Sequence, residues 1–273
     1  MFGTIALIVI VLVISTWLIQ KARKSARRNR LLRTELAPEF LVLLEKNVPL
    51  YMRLPQPLRK TLQGCIHCFL GEKVFIGCDG LEVTDEMRLI IAANACLLIV
   101  NRDKKHFPGF ETILVYPNTY IAKEVRYDGL VESYVDSTRA GESWHRGPIV
   151  LSLADVMRGS LNEQDGHNVV LHEFAHKLDE ENGVVDGLPV LRESSHYKAW
   201  AEVLTREYDA FLQRVEQRKN KVIDEYGAVS APEFFAVATE SFFEKSKKMK
   251  EKLPELYKQL KIYYGLDPAE WHE

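Results

Sequence analysis

Two histidines and a glutamate stand at metal-binding spacing in the stretch VVLHEFAHKLD (169–179). Residues four apart lie on one face of a helix, so His172 and His176 would project their imidazoles in the same direction. Imidazole nitrogens bind zinc at about 2.0–2.1 Å, and a catalytic zinc usually has three protein ligands and a water. Glu173 is suited to be the general base that deprotonates this water. The spacing therefore predicts a zinc-dependent hydrolase.

The third ligand must come from another segment. No histidine follows at the spacing HExxHxxGxxH, which excludes a metzincin and leaves a carboxylate. Glu233 and Glu240 share one helix face in PEFFAVATESFFE (232–244). Glu240 lies among apolar neighbours, where a carboxylate is costly to bury unless it is paired or bound to metal, and is the expected third ligand. Glu233 is an alternative ligand, a carboxylate that meets a substrate amine, or an early-turn residue favoured by the helix dipole.

Two further side chains have open interpretations. Tyr226, in DEYGA, either donates a hydrogen bond to the oxyanion of the reaction or serves in packing. Asp179, one turn beyond His176, either orients an imidazole or is a surface charge in an acidic run.

Several elements must position these groups. The apolar residues around the motif predict a buried helix, with Asn168 or Asp165 capping its start. Thr84 is the expected cap of a central helix over 84–100. Residues 107–135 are rich in Val, Ile, Tyr and Thr, which predicts short strands. The run PIVLSL (148–153) predicts another strand, either an exposed edge that lends its backbone to a peptide or a core strand.

From His167 onward the pattern is mainly helical. The predicted fold class is thus α+β, a mainly helical catalytic domain with a small β-sheet. The 273 residues carry a net charge of −2, which gives no basic excess for nucleic acid. Four cysteines are expected to be buried free thiols rather than a zinc or disulfide site, because only one close pair, CIHC, is present.

The chain begins with an apolar run followed by a basic block. Residues 2–19 carry no charge, whereas residues 21–30 carry six basic side chains. A spanning helix needs roughly 17–25 apolar residues, and a removable signal peptide is disfavoured because a charged leading region and a cleavage site are absent. The pattern predicts a single transmembrane anchor with a basic segment at 1–30 and a peptidase domain at 31–273. The positive-inside rule puts that domain in the cytoplasm.

Six segments of the chain form a recognisable set of motifs: GESWHRGPIVLS, DGHNVVLHEFAHKLDEENGVVDGLP, IDEYGA, PEFFAVATESFFE, PELY and YYGLDP. Over roughly residues 35–270 these segments resemble the Mlc titration factor A family of zinc peptidases. The resemblance implies a gluzincin-type zincin fold, distantly similar to the catalytic domain of anthrax lethal factor. It also implies zinc held by His172, His176 and Glu240, with Glu173 as base, and aminopeptidase-like cleavage of a peptide or protein substrate.

Further implications concern partners. In enterobacteria the family protein binds the glucose repressor Mlc. The resemblance therefore implies a transcriptional repressor as a partner and a link to the regulation of sugar uptake. Together with the apolar N-terminus, this predicts a protein of the bacterial inner membrane. The alternative is a regulatory binding module that sequesters a repressor and has a non-catalytic metal site. An intact Glu173 favours the enzyme, since a structural zinc site needs no base.

Overall fold

The computed structural model describes residues 2–102, 106–118, 120–128, 131–139, 141–143, 147–219 and 222–271, with side chains described for 9–102, 106–118, 147–219 and 222–271. Among these residues helices predominate, and the strands form one small sheet and one hairpin. The predicted α+β class is confirmed. The division between 1–30 and 31–273 stays a prediction.

Helices make up most of the described chain. They are α1 (Phe2–Leu31), α2 (Pro38–Asn47), α3 (Pro49–Arg53), α4 (Gln56–Glu72), α5 (Asp85–Leu97), α6 (Leu153–Leu161), α7 (Val169–Asp179), α8 (His196–Glu216), α9 (Ala231–Glu244), α10 (Ser246–Lys252) and α11 (Pro254–Tyr264). Short 3₁₀ turns occupy Glu180–Asn182, Glu225–Ala228 and Pro268–Glu270. The predicted central helix is α5, and Thr84 caps it by accepting a hydrogen bond from the Met87 amide at 3.3 Å.

The strands are β1 (Val74–Gly77), β2 (Thr112–Tyr116), β3 (Tyr120–Asp128), β4 (Val131–Arg139), β5 (Gly141–Ser143) and β6 (Ile149–Ser152). The sheet has the order β1-β2-β6-β5, in which β1, β2 and β6 are parallel and β5 is antiparallel to β6. β3 and β4 form a separate antiparallel hairpin. The predicted strands between 107 and 135 are therefore present.

The strand predicted at PIVLSL is β6, and of its two interpretations the structure selects the core strand. β6 is paired with β2 on one side and with β5 on the other, and its four residues are buried. Within the described strands the edge next to α7 is β5. Trp144, His145 and Arg146 precede this strand in the segment GESWHRGPIVLS and lie outside the described residues.

The predicted transmembrane anchor is not supported by the structure. In the described part of the chain, no helix combines the length and the apolar character needed to cross a membrane. α1 is a long helix whose last ten residues before Leu31 form the basic block.

The motif helix α7 lies in the centre of the core. It packs against α5, α6 and α9. On its apolar side the ring of Phe174 meets the rings of Phe69, Phe107 and Phe110, with centroids 5.5, 4.9 and 5.8 Å away. This aromatic packing fixes the rotation of α7, and thereby the direction in which the polar side chains of the opposite face point.

The cysteines agree with the prediction of free thiols. Cys65, Cys68 and Cys96 are buried, Cys78 is half-buried, and all four are unbridged. Burial raises the pKa of the Cys68 thiol to about 11, which keeps it protonated and unreactive at neutral pH.

Candidate metal centre

The start of α7 is held by its own sequence. Asn168 is the N-cap, and its Oδ1 accepts a hydrogen bond from the Leu171 amide at 3.1 Å. Of the two predicted caps, the structure therefore selects Asn168, while Asp165 accepts from the His167 amide at 2.9 Å in the preceding turn. The motif begins directly after this cap, so the cap sets the first turn from which His172 projects.

Three ligand atoms converge between α7 and α9. His172 Nε2 lies 3.0 Å from Glu233 Oε2 and 3.3 Å from His176 Nε2, and His176 Nε2 lies 3.3 Å from the same Glu233 oxygen. The prediction that both imidazoles project from one face of α7 is confirmed. Among the described side chains, these three residues are the one group of His, Cys, Asp and Glu with spacing that suits a metal ion.

The triangle fits a zinc ion. Two ligands at about 2.0–2.1 Å from a tetrahedral zinc are separated from each other by about 3.3 Å, and the three measured separations are 3.0–3.3 Å. Two imidazole nitrogens and one carboxylate are also a donor set found in catalytic zinc sites. The side chains of His172 and His176 are 12% and 13% exposed, so the group is accessible from one side.

The electrostatics of the group favour positive charge. Burial by itself would lower the pKa of His172, but its hydrogen bonds with Glu233 and Glu240 outweigh this and hold the pKa well above its usual value. Burial would likewise raise the pKa of Glu233, yet the hydrogen bonds from His172 and His176 hold it well below its usual range. A cation between these side chains, whether a proton or a metal ion, is therefore stabilised.

Glu240, the expected third ligand, lies outside this group, because the structure brings Glu233 rather than Glu240 to the two imidazole Nε2 atoms. Its Oε1 contacts His172 Nδ1 at 2.8 Å, and its Oε2 accepts a hydrogen bond from the Asn168 amide. A carboxylate accepts hydrogen bonds, so Nδ1 carries a ring proton directed at Glu240, and a metal ion bound at Nε2 would replace the proton that faces Glu233. Glu240 thus orients His172 from behind, while Glu233, the alternative candidate, faces the imidazoles.

The local structure explains why Glu233 reaches the site. Ser230 caps α9 by accepting a hydrogen bond from the Glu233 amide at 3.4 Å, which places Glu233 in the first turn, where α9 meets α7. Glu240 lies two turns further along the same face and reaches the cap of α7 instead. The sequence showed the shared face but not the crossing point of the two helices.

Glu173 lies in the site as a buried carboxylate, 5% exposed. Burial raises its pKa, and Glu233 and Glu240 add to this effect, whereas His172 and His176 oppose it. A carboxylate whose pKa is raised is a stronger base than an ordinary one and is suited to take up a proton.

Tyr226 is brought to the mouth of the site by the 3₁₀ turn Glu225–Ala228. Its ring centroid lies 5.9 Å from that of His172, and the side chain is 53% exposed. Asp224 caps the turn by accepting a hydrogen bond from the Tyr226 amide at 2.7 Å. The packing interpretation therefore has little support, because a packing tyrosine would be buried.

Asp179 fits neither of its two interpretations. It is fully buried, so it is not a surface charge, and its Oδ2 accepts a hydrogen bond from the Gly187 amide at 2.8 Å rather than orienting an imidazole. Burial raises its pKa to about 6, and the Gly187 amide opposes this shift.

One supporting residue was missed by sequence reasoning. The Asn168 side-chain amide donates to Asn94 Oδ1 at 3.1 Å, and Asn94 in turn donates to Ser160 Oγ at 3.0 Å. All three are buried, so this network connects the cap of α7 to α5 and α6. The signal was available, since an asparagine in the apolar run IAANACLLIV needs a buried partner.

Comparison with known proteins identifies a family and relatives that align with most of the chain. The family model described as glucose-regulated metallo-peptidase M90 matches residues 22–265. A Synechocystis protein, slr2042, is 39% identical over 244 residues, which cover 89% of this chain and 89% of the relative. A Yersinia pestis protein named Mlc titration factor A is 31% identical over 227 residues, which cover 81% of this chain and 83% of the relative.

Proposed function

This chain belongs to the glucose-regulated metallo-peptidase M90 family, and from that premise we propose that it is a zinc-dependent peptidase whose ion is held by His172, His176 and Glu233. The observation that carries the proposal is the convergence of three ligand atoms within 3.3 Å of one another, next to the buried carboxylate of Glu173. A zinc ion bound there supplies Lewis acidity, which polarises the scissile carbonyl and lowers the pKa of water to about 7.

The protein's own side chains move the protons. Glu173 accepts a proton from the water that attacks the carbonyl carbon and delivers it to the amine that leaves. Its burial suits both steps, because a raised pKa makes it a better base and then favours its protonated form. Tyr226, at the mouth of the site, donates a hydrogen bond to the oxyanion that develops on the carbonyl oxygen.

The substrate backbone would lie along β5. This strand is the sheet edge nearest α7 among the described strands, and its pairing with β6 uses one side only. An extended peptide that adds to such an edge is recognised through main-chain hydrogen bonds, with little demand on its side chains.

Zinc content and hydrolysis of peptide reporters test the proposal. We expect about one zinc per chain and, for Glu173→Gln, normal zinc content with hydrolysis lowered about 10²–10⁴-fold, as for loss of a general base. A wild-type protein that binds zinc and hydrolyses no faster than Glu173→Gln would overturn the assignment as an enzyme.

We also propose that the peptidase prefers substrates with a free N-terminus, as an aminopeptidase does. This preference is supported by the family resemblance alone. Because Glu233 belongs to the ligand group, it is not available to bind a substrate amine in the way that the sequence left open. Matched peptides with free and acetylated N-termini separate the two modes. Equal rates on both would show that a free amine is not required.

Repressor binding is the second candidate function, and the name of the Yersinia relative, Mlc titration factor A, favours it. In this view the metal site is non-catalytic and the chain sequesters a transcriptional repressor. Replacing the chromosomal gene by one that encodes Glu173→Gln distinguishes the candidates. If the variant gene behaves in cells like a deletion of the gene, the peptidase is supported. If it behaves like the wild-type gene, the binding module is supported.

A further inference from the structure

Asp179 ends the motif helix one turn beyond His176 and uses its carboxylate on a distant part of the chain. The Gly187 amide that it binds at 2.8 Å lies eight residues further on, after an exposed loop with Val184 and Val185 at its tip. A fully buried carboxylate is costly unless it is well hydrogen-bonded. The other oxygen, Oδ1, has no hydrogen-bond partner among the described residues. The backbone amides of Gly187 and Asp186 must therefore compensate much of the cost, Gly187 being the larger contributor.

Gly187 lies directly against the beginning of α9. A Cβ atom at this position would be 2.9 Å from the Ala231 carbonyl oxygen and 3.5 Å from the Pro232 nitrogen. Its φ of +78° also belongs to the left-handed region that favours glycine. On the other side, the buried Trp200 donates from Nε1 to the Gly187 carbonyl at 3.4 Å and packs against Phe235 of α9, with ring centroids 6.0 Å apart.

These contacts join the end of α7 to the first turn of α9. The residue after Pro232 is Glu233, so the backbone that Gly187 touches is the backbone that carries the third ligand. We propose that Asp179 and Gly187 form a clasp. The clasp holds the first turn of α9 at the position along α7 where the Glu233 carboxylate meets the two imidazoles. Asp179 is in this sense a positioning residue. The inference rests on the proposed metal site and adds to it the device that sets its geometry.

Two glycine substitutions in the same loop test the clasp. Gly187→Ala introduces a methyl group that must push the Ala231 carbonyl away, in addition to the strain of a left-handed backbone. Gly183→Ala introduces similar strain at φ +90°, but its methyl group has nothing within 4 Å. By chelator competition with zinc alone, we expect Gly187→Ala to bind zinc about tenfold more weakly, as when a group that orients ligands is lost, and Gly183→Ala to bind it as wild type does.

Two substitutions at Asp179 give an independent test should Gly187→Ala fail to fold. Asp179→Asn keeps an oxygen that can accept from the Gly187 amide, whereas Asp179→Ala does not. We expect the alanine variant to lose about tenfold in zinc affinity and the asparagine variant to retain it. Urea unfolding of the metal-free proteins is measured in parallel, so that a loss of global stability is not taken for a loss of ligand geometry.

The outcomes separate the clasp from the proposed function. If wild type binds zinc and Gly187→Ala binds it no more weakly than Gly183→Ala, the clasp is overturned and the metal site stands. If Asp179→Ala is less stable but binds zinc with wild-type affinity, Asp179 is merely structural and the clasp is again overturned. If wild type binds no zinc, the proposed function itself fails, and the clasp with it.

Discussion

Substituting glutamine at Glu233 and at Glu240 in turn separates a ligand from a residue that orients a ligand. The two carboxylates lie on one face of α9 and differ in which nitrogen of His172 they contact, Nε2 for Glu233 and Nδ1 for Glu240. Glutamine keeps the size of the side chain and removes its charge, so packing is nearly unchanged in both variants.

The expected loss for Glu240→Gln follows from its two contacts. Its oxygens face two donors, His172 Nδ1–H and the Asn168 amide, and glutamine has a single oxygen to offer them. Either the imidazole turns or the cap of α7 loses an acceptor. Substitution of such an orienting partner typically lowers metal affinity 10–100-fold, or about 1.4–2.7 kcal/mol. Glu233→Gln removes one of three ligands, so its loss should exceed this range.

Zinc affinity is measured by chelator competition, with circular dichroism as a check on folding. Glu244→Gln is the matched control, because Glu244 lies one turn beyond Glu240 and accepts from the Gly166 amide at 2.9 Å. Burial and the neighbouring Glu240 raise its pKa well above the usual value, so the surroundings of Glu244 disfavour the negative charge that glutamine removes. We expect the control to bind zinc as wild type does. Zinc lost completely in Glu240→Gln and retained in Glu233→Gln would refute the assignment of the two carboxylates.

Three further predictions concern catalysis and stability. Tyr226→Phe should lower kcat about 10²–10³-fold with KM and zinc content unchanged, as for loss of one oxyanion donor, and an unchanged kcat would show that the exposed ring serves only in binding. Asn94→Ala should destabilise the fold by about 1–3 kcal/mol in urea unfolding, because the buried Asn168 amide and Ser160 hydroxyl each lose a partner; an effect near zero would contradict the network. Lys73 donates to the Phe107 and Phe110 carbonyls at 2.7 and 2.6 Å, and burial lowers its pKa from 10.5 to about 8. Between pH 8 and 10.5 the folded protein therefore binds fewer protons than the unfolded chain, so a higher pH favours the folded state. Lys73→Met lacks this titration. The difference in the free energy of unfolding between wild type and Lys73→Met should rise by up to about 3 kcal/mol as pH increases from about 8 to 10.5. A flat difference across this range, measured by urea unfolding at several pH values, would contradict the lowered pKa.

The elements that sequence predicted correctly are those determined by neighbouring residues. Thr84 and Asn168 cap the helices that follow them, since a cap is a contact over three residues. The two histidines share a face because helix periodicity requires it. The burial of α7 follows from the apolar residues around the motif.

The predictions that changed depend on elements far apart in the chain. PIVLSL became an interior strand because β5 pairs along its second side, which its own residues do not show. Asp179, although it begins an acidic run, is buried because the loop to Gly187 folds back over the end of α7.

The helix, the two imidazoles and the neighbouring base follow from local sequence, because all of them lie within three turns of one element. Which glutamate meets the imidazoles depends instead on how α9 packs against α7. Glu233 and Glu240 are equivalent in periodicity, and the choice is set by the height at which α9 crosses α7, which depends on the packing of both helices and on contacts such as that of Gly187 with Ala231. Two helical turns, about 11 Å along the axis, separate the proposed metal ligand Glu233 from Glu240, which we propose orients His172.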